Sequence, residues 1–256
     1  MAKGHHLTHE VMTRDRVRIS MSLRHGPSGT GVVVICPGFF QSAQTPTFQQ
    51  LADALADAQD ILTLDFRGHG RSKGFYTFSA KETYDLEAVL DWARSRYRSI
   101  GLLGFSLGGA VAINMAGRRP GWVQSLVAVS APCAFEEMEL KFWVPRSLKT
   151  NMQGFERGAG CRPGNPLLGK ERPIQSVGKL RQVSTLFVHG ELDTIISPQH
   201  SRRLYEAAPE PKRLAIIPEG GHAEALFRET PRQFVQLING WYAATLAQEG
   251  RTDGSE

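Results

Sequence analysis

Six short apolar runs constrain the fold of this 256-residue chain more than any other feature of its sequence. The runs are Val32–Cys36, Ile61–Leu64, Ile100–Phe105, Leu126–Val129, Leu186–Val188 and Leu214–Ile217. They are rich in β-branched and aliphatic residues, and stretches with helical periodicity separate them. Strands that are apolar on both sides are typical of a parallel sheet covered by helices on both faces, so the sequence predicts an α/β fold.

The segment before these runs has a different period. Val17, Ile19, Met21 and Leu23 alternate with polar residues, which places the apolar side chains on one face of a strand. The pattern predicts an antiparallel hairpin at the start of the chain.

Helix starts can also be located. Thr45 and Pro46 supply an N-cap and a first-turn proline for one helix, and Ser79 with Glu82 predicts a capping box for the next. A last helix carries Phe234 on its apolar stripe. We interpret these stripes as core rather than as cofactor contacts.

Length and charge limit the classes of protein that the chain can represent. With 41% hydrophobic residues the chain can bury one large core, and we expect a single domain over residues 1–256. No signal peptide, membrane anchor or apolar run of transmembrane length is recognised, so we expect a soluble protein without stable membrane insertion. The net charge of +5 comes from basic residues in short sets on helix faces, which argues against a nucleic-acid partner.

The three cysteines, Cys36, Cys133 and Cys161, are an odd number at wide spacing. This arrangement favours neither a disulfide framework nor a zinc site, and it indicates a cytoplasmic protein. A pair between Cys133 and Cys161 stays open.

One segment, from about residue 131 to residue 182, breaks the alternation of strands and helices. It is rich in Pro, Gly and charge, and it also contains aromatic residues, namely Phe135, Phe142, Trp143 and Phe155. An insertion of this length in a compact domain usually covers or shapes a site, so we expect a cap there.

The residues 104–108 form a G-x-S-x-G sequence with Ser106 at its centre. It lies between an apolar run and a helical stretch, the context that a nucleophile elbow needs. Glycines at 104 and 108 fit this turn because side chains there would collide with neighbouring backbone. A helix N-cap is the other interpretation of this serine.

A serine nucleophile needs a base and a group that orients the base. Among eight histidines, His222 is the best base because it lies on a Gly-rich loop after the final apolar run. We interpret His189 as a packing residue at a strand end and His200 as a solvated residue on a helix surface.

Asp193 is the predicted orienting acid, since it follows the run Leu186–Val188 and its loop meets the same sheet edge as that of His222. Glu191 is the nearest rival, but we expect it to face solvent in the turn after Gly190. The order Ser, Asp, His along the chain is that of α/β-hydrolases.

An oxyanion intermediate requires two backbone N–H donors. We expect one from Leu107, directly after the nucleophile, and one from Phe39, where Gly38 allows close approach of the backbone to a substrate.

These segments together resemble the α/β-hydrolase family, particularly its small serine esterases of the cinnamoyl or feruloyl esterase and monoacylglycerol lipase type. The resemblance covers most of the chain. It includes residues 65–72, similar to the D-x-R-G-x-G-x-S loop after the fourth strand, which we interpret as structural with His69 at the edge of the site. Two positions depart from the family: Pro37 replaces the His of the oxyanion loop, and Phe105 replaces a common His before the nucleophile.

The resemblance implies an α/β-hydrolase fold, with a mostly parallel twisted sheet, helices on both faces, an N-terminal antiparallel hairpin and a short cap. It implies a serine esterase that cleaves a small carboxylic ester through an acyl-enzyme on Ser106, without metal or organic cofactor. The aromatic residues expected to contact substrate are Phe40, Phe105, Phe135, Phe142 and Trp143. An acyltransferase, a thioesterase or amidase with the same triad, and a non-catalytic binding protein of this fold remain as alternatives.

Overall fold

The structure is a computed structural model that describes residues 6–27, 31–138 and 156–246. Within these residues, eight strands form one sheet. The strands are β1 (His6–Met12), β2 (Arg18–Arg24), β3 (Gly31–Cys36), β4 (Asp60–Leu64), β5 (Ser99–Phe105), β6 (Ser125–Val129), β7 (Ser184–Gly190) and β8 (Lys212–Ile217). Their order across the sheet is β1-β2-β4-β3-β5-β6-β7-β8. Each of the six predicted apolar runs lies inside a strand, and β3 to β8 pair in parallel.

The predicted hairpin is confirmed, since β1 and β2 pair antiparallel and β2 continues antiparallel onto β4. β2 is buried on both faces, although its sequence alternates. The loop after β4 packs against β2 and buries the polar side of the strand. The backbone N–H of Ser20 donates to the hydroxyl of Ser72 at 2.8 Å, and the backbone N–H of Asp65 donates to the carbonyl of Ser20 at 2.9 Å.

Helices cover both faces of the sheet, as predicted. They are α1 (Pro46–Leu55), α2 (Glu82–Arg94), α3 (Leu107–Arg118), α4 (Pro173–Ser176), α5 (Gln199–Ala207), α6 (Ala225–Glu229) and α7 (Pro231–Thr245). Phe48 of α1 and Phe234 of α7 belong to the core on one face, whereas Leu86 of α2 and Val111 of α3 belong to the core on the other.

The start of α2 differs from the predicted capping box. The carboxylate of Glu82 accepts a hydrogen bond from the backbone N–H of Thr77 at 2.7 Å rather than from that of Ser79. The hydroxyl of Thr77 in turn accepts from the backbone N–H of Lys81 at 2.9 Å. The N-cap is Lys81, whose side chain makes no cap hydrogen bond, and Ser79 and Glu82 do not form the predicted capping box.

The insertion is only partly described, because residues 139–155 lie outside the described ranges. Its return, from residue 156, runs beside the loop after β4 and forms bridges from Cys161 to His69 and from Pro163 to Tyr76. The division into one domain with a cap at 131–182 stays a prediction. Among the described residues, no helix is long and apolar enough to cross a membrane.

Candidate active site

Ser106 lies at the turn between β5 and α3, with φ of 50° and ψ of −120°. This conformation is strained for a residue with a Cβ atom. It is held because the backbone N–H of Ser106 donates to the carbonyl of Val129 in β6 at 2.8 Å, and because α3 begins immediately afterwards. The turn therefore presents the hydroxyl at the carboxyl edge of the sheet.

The two glycines around Ser106 are required by close backbone contacts. A Cβ atom at Gly104 would lie 2.6 Å from the Cα of Gly109, and one at Gly108 would collide with the carbonyl oxygens of Cys36 and Pro37. The first turn of α3 can approach β5 only without a side chain at Gly104, and it can approach the end of β3 only without one at Gly108.

The predicted base, His222, and the predicted acid, Asp193, both lie near the hydroxyl of Ser106. His222 Nε2 lies 3.0 Å from Ser106 Oγ, and His222 Nδ1 lies 2.7 Å from Asp193 Oδ2. The three side chains, separated by up to 116 positions along the chain, form one hydrogen-bonded series. Proton transfer from a hydroxyl to an imidazole requires this distance.

Loop contacts hold the histidine and the aspartate at this distance. The backbone N–H of Leu192 donates to the carbonyl of Gly220 at 3.0 Å, which joins the loop after β7 to the loop after β8. The backbone N–H of Ala223 donates to the hydroxyl of Ser130 at 3.1 Å, which anchors the histidine loop to the end of β6.

Asp193 is buried and fully hydrogen bonded. Its Oδ1 accepts from the backbone N–H groups of Ile195 and Ile196 at 2.9 and 3.0 Å. Burial alone would raise the pKa of Asp193, but the charge of His222 and hydrogen bonds from His189 and His222 outweigh it and hold this pKa below its ordinary value. The carboxylate therefore stays ionised beside the imidazole.

The electrostatics of His222 follow from the same contact. Burial alone would lower the pKa of His222, whereas the charge and the hydrogen bond of Asp193 raise it, and the net pKa is raised. An imidazolium formed at this position is stabilised by the neighbouring carboxylate.

The rival acid Glu191 is exposed and lies apart from this series, with its carboxylate near the backbone N–H of Glu219 at 3.4 Å. One histidine differs from its sequence interpretation. His200 is buried, and its Nδ1 lies 3.1 Å from Cys133 Sγ, so it is not a solvated residue. His189 is buried as expected, but it also contacts Asp193, a relationship that the sequence does not reveal.

The two predicted oxyanion donors lie on either side of Ser106. A Cβ atom on Gly38 would lie 3.3 Å from the Cβ of Ser106, so the loop of residues 37–40, the predicted oxyanion loop, runs beside Ser106. Leu107 is the first residue of α3. Within the described residues, the backbone N–H groups of Phe39 and Leu107 donate no hydrogen bond, which leaves them able to bind an oxyanion.

His69 is hydrogen bonded to this loop. Its Nε2 accepts a hydrogen bond from the backbone N–H of Phe40 at 3.2 Å, and its Nδ1 lies 3.2 Å from the carbonyl oxygen of Arg67. Nδ1 therefore carries the proton. Burial is the main cause that lowers the pKa of His69 to about 4, so this acceptor stays available at neutral pH.

The aromatic residues predicted to contact substrate have different positions. Phe40 is half-buried at φ of 70° on the oxyanion loop, and Phe135 is half-buried in a 3₁₀ turn, Phe135–Glu137. Phe105 has no exposed surface and packs against Phe48 and Phe234, so the structure places it in the core rather than at the site. Phe142, Trp143 and Phe155 lie outside the described residues.

An aromatic cluster that was not predicted from the sequence borders the oxyanion loop. The ring of Phe39 stacks on Tyr76 at 5.5 Å and lies 5.6 Å from Phe78, while His69 meets Tyr76 edge to face at 4.6 Å. The signal available was the short spacing of Phe75, Tyr76 and Phe78 after the loop 65–72.

A mostly parallel sheet with a serine at a strained strand-to-helix turn, an aspartate after β7 and a histidine after β8 is the arrangement of α/β-hydrolases. The family model of the alpha/beta hydrolase fold matches residues 31–171, and the chain belongs to that family. The matched range contains Ser106 and the oxyanion loop, while Asp193 and His222 lie beyond it.

Relatives by sequence are distant. The protein YfhR of Escherichia coli K12 is 28% identical over 205 residues, which cover 78% of this chain and 66% of YfhR. The chain thus spans just under two thirds of the length of that relative. Serine hydrolase BPHL of mouse is 24% identical over 220 residues, covering 76% of this chain and 74% of BPHL.

A solved structure with a similar fold is that of the esterase Pf2001 of Pyrococcus furiosus. It superposes with a TM-score of 0.75 at 19% identity and covers 95% of this chain and 93% of that one. At this identity the similarity shows the shared fold.

Proposed function

We propose that the protein is a serine hydrolase that cleaves a small carboxylic ester through an acyl-enzyme on Ser106. The observation that carries the proposal is the series Ser106 Oγ, His222 and Asp193, with distances of 3.0 and 2.7 Å. The fold alone would not carry it, because folds host many functions whereas a site defines one.

In the first half of the reaction, Oγ of Ser106 bonds to the ester carbonyl carbon while its proton moves to Nε2 of His222. The carbonyl oxygen becomes an oxyanion that accepts hydrogen bonds from the backbone N–H groups of Phe39 and Leu107. The bond to the alcohol oxygen then breaks, and Nε2 returns the proton to the departing alcohol.

In the second half, water attacks the acyl carbon and gives its proton to Nε2 of His222. The bond from the carbon to Oγ breaks, and the proton moves back to Ser106. Ester and water have become acid and alcohol, and the enzyme is restored. Asp193 stays ionised throughout and holds Nδ1–H of the imidazole.

One consideration favours an ester over other acyl compounds, and a second indicates where its acyl group binds. Pf2001, which shares the fold, is named an esterase. The oxyanion loop also presents aromatic side chains, with Phe39 38% exposed and Phe40 half-buried, and we place the acyl group against them. Phe135, Phe142 and Trp143 stay predicted contacts.

A fluorophosphonate probe tests the proposal, because only an activated serine reacts with it. We expect the wild-type protein to be labelled on Ser106 and the Ser106→Ala variant to remain unlabelled. A panel of nitrophenyl esters, feruloyl methyl ester and acyl thioesters, with and without an acceptor alcohol, then separates esterase, thioesterase and acyltransferase activity. A folded wild-type protein that is neither labelled nor active on any ester would contradict the proposal.

A further inference from the structure

Asp193 has a second histidine neighbour that the proposed mechanism does not use. His189, the penultimate residue of strand β7, has no exposed surface, and its Nε2 lies 3.2 Å from Asp193 Oδ2. The same Oδ2 atom is 2.7 Å from His222 Nδ1. One carboxylate oxygen is therefore shared by two imidazoles.

The partners of His189 determine where its proton lies. Nε2 also lies 2.8 Å from the carbonyl oxygen of Ile196, so both atoms that face Nε2 are acceptors and Nε2 must carry a proton. Nδ1 lies 2.7 Å from the hydroxyl of the buried Ser201, in the first turn of α5, and this hydroxyl can donate to it. The ring is thus fixed at both nitrogens.

We propose that His189 is a positioning residue that fixes the rotamer of Asp193 for His222, a role that rests on the proposed serine hydrolysis. The N–H groups of Ile195 and Ile196 donate to Oδ1, and His189 Nε2, which also faces the carbonyl of Ile196, lies 3.2 Å from Oδ2. These contacts to both oxygens oppose rotation of the carboxylate and favour the rotamer in which Oδ2 faces His222 Nδ1.

The contact geometry distinguishes this role from simple packing. A buried histidine that only filled space could satisfy its nitrogens with backbone carbonyls and hydroxyls alone, as His189 does with Ile196 and Ser201. Here the donor reaches in addition the one carboxylate oxygen that the base uses. Loss of this donor is therefore expected to change the turnover number and to leave substrate binding unchanged.

Two amide variants test the roles of the two ring nitrogens of His189 separately. In His189→Gln the amide nitrogen can take the place of Nε2 and donate to Asp193, whereas in His189→Asn it takes the place of Nδ1 and reaches only Ser201. We expect His189→Asn to lower kcat by about 10- to 100-fold, by analogy with the loss of an outer hydrogen-bond partner of a metal-binding histidine. His189→Gln should retain kcat within about tenfold of wild type, and KM should be unchanged in both.

The outcomes are distinguishable from failure of the proposed function. If wild type hydrolyses an ester and reacts with the fluorophosphonate, but folded His189→Gln and His189→Asn have equal kcat, His189 only packs and the inference is overturned. If wild type itself does not react, the proposed function fails. Should His189→Asn not fold, NMR of the wild-type protein decides: a hydrogen-bond scalar coupling between His189 Nε2 and the carboxylate carbon of Asp193 supports the inference, and a coupling to the carbonyl carbon of Ile196 alone overturns it.

Discussion

The backbone N–H of Phe40 donates a hydrogen bond to Nε2 of His69 at 3.2 Å, which ties the oxyanion loop to the loop after β4. The carbonyl of Phe40 accepts from the backbone N–H of Gly160, at the return of the insertion, at 2.8 Å. Both polar groups of Phe40 are therefore held, although its φ of 70° is unfavourable for a residue with a side chain. The position of the neighbouring Phe39 N–H depends on these contacts.

Replacing His69 by Leu removes the acceptor for Phe40 N–H, and we expect the loop to shift away from Ser106. The value of kcat should fall by about tenfold or more, with the roughly 100- to 1000-fold cost of losing an oxyanion donor as the upper bound. His69→Gln, whose amide oxygen can accept the same hydrogen bond, is the matched control. Steady-state kinetics on a nitrophenyl ester measure both variants, and equal kcat for His69→Leu, His69→Gln and wild type would show that the contact does not position the loop.

The free energy of unfolding at acid pH should depend on the pKa of the same histidine, His69. Burial lowers the pKa of His69 to about 4 from an ordinary value of 6.5, so the unfolded chain binds more protons than the folded protein between these values. The stability of wild type should therefore fall as the pH drops from 6.5 to 4, by about 3 kcal/mol from this group. His69→Gln lacks this contribution. Urea unfolding of both proteins across this range measures it, and a difference between them that does not change with pH would contradict the assignment.

Asp193 and Glu191 offer a direct test of the orienting acid. Asp193→Asn should lower kcat by about 10⁴-fold, because the amide holds the wrong tautomer of His222. Glu191→Gln changes an exposed residue outside the series and should leave kcat unchanged. Ester kinetics on both variants measure the contrast. A large loss in Glu191→Gln, with little loss in Asp193→Asn, would reverse the assignment.

The pH profile adds a second measurement at this site. His222 must be unprotonated to accept the serine proton, and its pKa is raised above 6.5, so kcat/KM should fall on the acid side with a midpoint above that value. In Asp193→Asn the carboxylate that raises the pKa is lost, so the remaining activity should show an acid limb displaced to lower pH. An unchanged midpoint would indicate that another group titrates.

The central parallel strands β3 to β7 could be predicted from the sequence because they are buried on both faces, so that each of them must be apolar on both faces. The run Val32–Cys36 differs from β3 by a single residue at its start. The turn that carries Ser106 could be located for a similar reason, since Gly104 and Gly108 mark a turn whose backbone contacts forbid side chains.

Other features could not be predicted because they depend on contacts between distant segments. His200 reads as a surface residue of a helix, but its ring packs on Cys133, 67 positions away. The spacing of Ser79 and Glu82 fits a capping box, yet Glu82 binds Thr77, because the loop before α2 turns Thr77 toward it. Phe105 directly precedes Ser106, a position that predicts a residue at the site. Its ring nevertheless lies in the core, because of the side to which it points from strand β5.

Phe105 and Phe39 should therefore respond differently to truncation. Phe105→Ala removes a fully buried ring and should destabilise the protein by about 3 to 5 kcal/mol. Phe39→Ala removes a partly exposed ring beside the site, so it should raise KM severalfold and change the free energy of unfolding by less than about 1 kcal/mol. Denaturant unfolding and ester kinetics on both variants measure the contrast. A raised KM for folded Phe105→Ala, with none for Phe39→Ala, would place the substrate against the wrong ring.

The strained backbone of Ser106 predicts a gain in stability when function is removed. At φ of 50° and ψ of −120°, a residue with a Cβ atom costs on the order of 1 to 3 kcal/mol, and glycine adopts this region more readily. Ser106→Ala should lose about five to six decades of turnover and keep the strain. Ser106→Gly should be equally inactive yet more stable than Ser106→Ala, even though glycine has the larger conformational entropy in the unfolded chain. Thermal unfolding of the two variants measures the stability difference that comes from the backbone conformation at residue 106, since both variants lack the serine hydroxyl. If the glycine variant were the less stable of the two, the turn would be relaxed as it stands, and the surrounding contacts with Val129 and α3 would not be holding the serine under strain.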